Sequence, residues 1–183
     1  QLRFTAARTI AQPVFEDLNP GLFYQVPTNA NERPNGSGGN PDLKPQKSDA
    51  IDATVEYYFD QSSYLSAAIY YRELQDRVAD ASRPEVIDGV TYNITRPRNI
   101  GEATLQGIEL SAQAFFDFLP EGWNGLGAFA NYTYADSEIK TETDPLNGRP
   151  LLGVSKNSYN VGLLYEKYGI TSRLVYTWRD EFN

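Results

Sequence analysis

The chain contains no cysteine, no histidine and no methionine. Without cysteine there are no disulfides and no thiolate metal sites. The compartment stays open, because many secreted bacterial proteins lack cysteine too. With histidine also missing, the common catalytic triads and zinc centres have nothing to be built from. Long apolar runs are absent: no stretch approaches the roughly 18 consecutive apolar residues of a membrane helix. No charged segment leads into an apolar run, so no signal peptide is expected, and a chain opening on Gln1 reads as a fragment or a processed product. Positive charge is in deficit. A net charge of −8 argues against non-specific nucleic-acid binding.

Aromatic residues, by contrast, are abundant. The 183 residues include 13 Tyr, 9 Phe and 2 Trp in a chain that is polar overall. That length suffices for one ordinary domain core. A polar, aromatic and alternating sequence suits a β-barrel.

Alternation runs through most of the chain. Leu2, Phe4 and Ala6 share one face of a first strand, and Arg3, Thr5 and Ala7 the other. In "IDATVEYYF", Ile51, Ala53, Val55, Tyr57 and Phe59 oppose Asp52, Thr54, Glu56 and Tyr58. After the turn "DQSS", Leu65, Ala67, Ile69 and Tyr71 oppose Ser66, Ala68, Tyr70 and Arg72, which predicts a hairpin. In "ATLQGIELSAQAFFDF" the apolar phase switches at Gly107, from Ala103 and Leu105 to Ile108, Leu110, Ala112 and Ala114. A phase change beside glycine predicts a β-bulge. Leu126 to Tyr134, Tyr159 to Tyr165 and Ile170 to Trp178 continue the pattern. About seven strands result, most near the roughly 9–11 residues of a tilted membrane strand.

The connections sort by length. "DQSS", "LPEGWNG" and "EKYG" are short turns. The stretches at about 11–48, 74–98 and 137–156 are long loops, the first rich in proline and containing "NGSGGN". "DGVTYNIT" suits a small hairpin within the second. Short turns at one end and long loops at the other is the habit of an outer-membrane barrel, with the long loops extracellular. Around the turn end cluster Tyr57, Phe59, Phe116, Phe118, Trp123, Tyr165 and Tyr168; toward the loop end stand Tyr134, Tyr159, Tyr176 and Trp178. Two aromatic girdles around an aliphatic band mark the two membrane interfaces. A soluble sandwich shares the alternation, with its apolar face as a core, but has no reason to segregate loop lengths. On the barrel reading, Asp52, Glu56, Arg72, Glu109, Asn131, Asn160, Arg173 and Arg179 point into the lumen, toward water or a plug.

Several segments resemble one family. "RFTAARTIAQPVFEDLNP" resembles a strand-to-loop segment of TonB-dependent outer-membrane receptors. "NPDLKPQKSDAIDATVEYYF" resembles their loop exit and next strand, with Gln46 where Glu is more usual. "NIGEATLQGIEL", "NYTYADS" and "GVSKNSYNVGLLYEKYGITSRLVYTWRDEF" resemble the strands that follow. The ordered set covers essentially the whole chain. The resemblance implies an all-β, antiparallel transmembrane barrel of about 22 strands around a plug. Residues 1–183 would be part of that one barrel domain, with the plug and last strands outside them. It also implies ligand-gated active import of a scarce nutrient — an iron-siderophore, cobalamin or an oligosaccharide — across the outer membrane of a Gram-negative bacterium. TonB, with ExbB and ExbD, would supply the energy through a segment outside this stretch. The partners implied are a small-molecule ligand and outer-membrane lipid. The alternative is a passive porin-like channel or a structural barrel, and a third class is an outer-membrane enzyme with its active residues elsewhere.

Loops carry function, so the candidate ligand contacts are Tyr24, Tyr92, Arg96, Arg98 and Arg149. No cofactor and no enzymatic role is expected. Glu121 with Asp117 could do acid–base work in principle, but a predicted turn favours solvation. "DPLNG" and "DGVTYN" offer oxygen ligands without a full calcium set.

Overall fold

The computed structural model describes residues 1–26, 34–141 and 147–181. Every regular element among them is a strand: β1 (Leu2–Ala11), β2 (Leu22–Tyr24), β3 (Asn35–Gly38), β4 (Gln46–Tyr58), β5 (Tyr64–Gln75), β6 (Val78–Ile87), β7 (Val90–Asn99), β8 (Glu102–Phe115), β9 (Leu126–Lys140), β10 (Asn157–Lys167) and β11 (Ile170–Arg179). Seven of them form one sheet in the order β1-β4-β5-β8-β9-β10-β11, each pair antiparallel. These are the seven alternating segments of the sequence. β2, β3, β7 and β6 form a second sheet.

Local chemistry fixes the short turns. At β4–β5, the Asp60 carboxylate accepts the amides of Ser62 and Ser63, both at 2.7 Å. The Ser62 amide above all, then the Ser63 hydroxyl and amide, hold its pKa below the usual carboxylate range, against the opposing pull of burial. β10 and β11 are joined by Tyr168 and Gly169, with φ of 56° and 73°. β6 and β7 are joined by Asp88 and Gly89, at 49° and 81°. Positive φ at both central residues matches the right-handed twist of the flanking strands.

The large sheet has two unlike faces. Ile51, Val55, Tyr57, Leu65, Ile69, Ile108, Leu110, Val161, Leu163, Leu174 and Tyr176 share one, and all are exposed. Successive strands are also staggered. Tyr57, near the turn end of β4, is level through the ladders with Leu65, Ala112, Ala130, Val161 and Tyr176. Tyr176 lies in the far half of β11, away from its turn. Such stagger is what a closing, tilted barrel wall needs.

Two expectations are corrected. No bulge forms at Gly107: β8 keeps one unbroken register to β5 and to β9. Ala103 and Leu105 therefore lie on the opposite face from Ile108 and Leu110. Their apolarity belongs to a covered part of that face, where Ala103 and its partner Ile139 are buried. Nor is the first long connection without strands. "NGSG", expected as part of that loop, is β3, paired in parallel with β7.

Candidate functional site: the polar wall and the joined connections

The second face of the large sheet is polar. Asp52 and Glu56 on β4, Arg72 on β5, Glu109 on β8, Asn131 on β9, Asn160 on β10, and Arg173 and Arg179 on β11 all share it, since strand neighbours alternate and the ladders fix which positions align. A lateral hydrogen-bond chain runs across its middle. Tyr64 Oη lies 3.2 Å from Ser111 Oγ, which donates to Asn131 Oδ1 at 2.6 Å. Asn131 is directly cross-strand from Asn160.

Three glycines on this face lie beneath aromatic rings. Gly107 is paired with Tyr70, Gly127 with Phe115, and Gly162 with Phe129. A Cβ at Gly107 would come within 2.6 Å of Tyr70 Cζ, and one at Gly162 within 2.6 Å of Phe129 Cζ. Arginines cover two of the rings. Arg173 stands 4.2 Å from the Phe129 centroid and Arg72 stands 5.8 Å from that of Tyr70.

On the apolar face, a cross-strand ion pair bounds the apolar stretch. Arg8 Nε is 2.5 Å from Asp49 Oδ1, and Nη2 is 2.7 Å from Oδ2. From Ile51 to Tyr57 that face of β4 is apolar or aromatic, and Phe59, just past the strand, continues it edge-on to Tyr57, a length that fits the roughly 9–11 residues of a tilted membrane strand. Across the sheet, Tyr159 stacks on Trp178 at 5.2 Å.

All three long connections, 12–45, 76–101 and 141–156, leave from the same end of the sheet. The first two carry the second sheet, which brings Tyr24, Tyr92, Arg96 and Arg98 together. Tyr24 meets the buried Tyr92 edge-on, centroids 4.8 Å apart. Arg96 donates to Glu85 through Nε (3.0 Å) and Nη2 (2.9 Å), and through Nη1 to the Gly39 carbonyl at 2.7 Å. Arg98 pairs with Glu85 Oε1, the oxygen that also accepts from Arg96 Nε, and reaches the Ala81 carbonyl at 3.4 Å. Arg96 above all, then Arg98, holds the Glu85 carboxyl below the usual range, against the opposing pull of burial. Arg149 stands apart and exposed, its carbonyl accepting the Ile139 amide at 2.9 Å. Glu85, Asn99, Asn40 and Gly36 were not among the expected site residues. No local pattern marks them, because each acts on a partner far away in sequence.

Among the described residues no group of three or more acidic side chains is placed to hold a metal ion. Asp88 of "DGVTYN" is a turn residue, and most of "DPLNG" falls outside the described residues. Glu121 and Asp117 are exposed in the 116–125 turn.

A two-faced antiparallel wall with every long connection at one end agrees with the family whose model matches residues 1–183, the TonB dependent receptor-like beta-barrel. The chain belongs to the TonB-dependent receptors. These are receptors rather than enzymes. No curated protein sequence matches this receptor chain. Solved structures show the same fold. A variant of the ferric enterobactin receptor PfeA from Pseudomonas aeruginosa, in complex with enterobactin, superposes with a TM-score of 0.73 at 20% identity, over 97% of this chain and 25% of that one. The siderophore receptor PirA from the same organism gives 0.62 at 16%, over 97% and 31%. The copper transporter OprC gives 0.62 at 19%, over 96% and 24%. The chain thus spans 24–31% of the length of these proteins.

Proposed function

We propose that the receptor containing this chain imports a scarce nutrient across the outer membrane of a Gram-negative bacterium, gated by ligand and energised by TonB with ExbB and ExbD. The chain supplies an arc of the barrel wall and three extracellular connections. The observation that carries this reading is the pairing of an exposed apolar face with a polar one, in a sheet whose long connections all lie at one end. The apolar face meets lipid, and the eight polar positions face the lumen and brace the plug. Of the five expected ligand contacts, Tyr24 and Arg149 are exposed and face the ligand. Tyr92, Arg96 and Arg98 shape the connections that carry it.

Metal chelates are the first ligands to test, since the matched structures include a ferric enterobactin receptor and a copper transporter. Cobalamin and oligosaccharides come next. In cells carrying the full receptor, uptake of iron-labelled enterobactin should collapse to background when TonB is deleted. Uptake that persists would favour a passive channel instead.

A further inference from the structure

Connections 12–45 and 76–101 leave the wall between different pairs of strands, yet they are bound to each other. Backbone pairing comes first. β3 lies parallel to β7 with Asn35, Gly36 and Ser37 opposite Asn93, Ile94 and Thr95, and the Asn93 amide donates to the Pro34 carbonyl at 2.9 Å. Parallel pairing cannot arise from a tight turn, so the two segments meet through tertiary contact. Side chains extend the seam. Asn40 Nδ2 donates to the Pro97 carbonyl at 3.1 Å. The Lys44 amide donates to Asn99 Oδ1 at 2.9 Å while Asn99 Nδ2 donates to the Lys44 carbonyl at 3.0 Å, so a side-chain amide stands in for one more ladder residue. Packing closes the interior. Ile94 is fully buried, and Gly36 lies so close over it that a Cβ would come within 2.5 Å of Ile94 Cδ1 and 2.8 Å of the Phe23 carbonyl.

Arg96 reaches both connections at once. It starts on β7, binds Glu85 on β6, and donates to Gly39 just past β3. We infer that the described parts of the two connections, built on β2, β3, β6 and β7, form a single rigid cap that moves as one body, with Arg96 as its clasp. That this cap closes over a ligand rests on the import reading. That it moves as one body rests on these contacts alone. The third connection shares no strand with the cap among the described residues.

Hydrogen exchange on the full-length receptor tests this. Opening of one cooperative unit exposes all its amides together. Arg96→Ala should speed exchange in Gly36–Gly38 and in Ile94–Thr95 by a common factor of several-fold, leaving β10 and β11 unchanged. Faster exchange in only one segment, or in neither, overturns the proposal. A second variant is independent of Arg96. Ser37→Cys with Thr95→Cys places two thiols opposite each other in a stretch with no cysteine of its own. They should close to a disulfide in the oxidising cell envelope. Thiols that stay free would separate the two connections and sink the single cap. Neither readout involves transport, so a failed import assay and a failed cap are told apart.

Discussion

Gly162 has its partner's ring where a side chain would stand. A Cβ there would meet Phe129 Cζ and the Leu174 carbonyl, each at 2.6 Å. Gly162→Val must push the ring off the wall and disturb Arg173, which stands over it. Overpacking of this kind costs about 1–3 kcal/mol, and urea unfolding of the receptor in detergent should show it. The glycines were visible in the sequence, but their use was not. Gly107 looked like a bulge because a change of apolar phase has two causes: an extra residue, or a switch in which face is covered. Only the register separates them. At Glu85 the residue scale predicts a pH dependence. Its folded pKa is depressed, chiefly by Arg96, so its stabilising contribution is complete above the unfolded glutamate value. The contribution is lost as pH falls through the depressed folded value. Exchange in β6 and β7 should therefore quicken as the pH falls below the usual glutamate value, and Glu85→Gln should abolish that step.

Among the elements, the long strands of the wall were legible; the ten-residue β6 and β7 were foreshadowed only as a small hairpin at "DGVTYNIT" inside a long loop, and the short strands not at all. β4, β5, β8, β9, β10 and β11 alternate because one face is apolar along its length, and a period of two needs several residues to be seen. β2 is "LFY" and β3 is "NGSG", three and four residues with no such period. Their strand geometry comes from pairing with distant partners, which no local window contains. The same two-sidedness gives a prediction for the strands that were read. Leu163→Arg on the apolar face should cost about 2–4 kcal/mol if it sits near mid-membrane. Asn160→Arg, three residues earlier on β10 and on the polar face, should cost far less. Folding yield into lipid vesicles would rank them, and equal yields would contradict the assignment of faces.

For the molecule as a whole, the sheet is open at β1 and at β11. Unpaired backbone is costly in lipid and invites edge-to-edge pairing. The 183-residue stretch made alone should therefore associate in detergent, and light scattering that found a stable monomer would argue against two free edges. The general plan of a wall with loops at one end was readable from connection lengths. The candidate ligand contacts were less so. Four of the five were drawn into one sheet, where Tyr92 is buried and both arginines are occupied by Glu85.

On the proposed orientation, the separation of short turns from long connections also decides what the surroundings of the cell can touch. The 168–169 turn offers only two residues, and to the periplasm, whereas the described parts of the 12–45 and 76–101 connections together present a folded, joined surface outward. With these connections extracellular, as proposed, such a surface would be a conformational epitope, contributed by two separate parts of the sequence, to an antibody or a phage meeting the intact bacterium. Short synthetic peptides copied from either connection alone would carry half of each seam contact and would make poor immunogens.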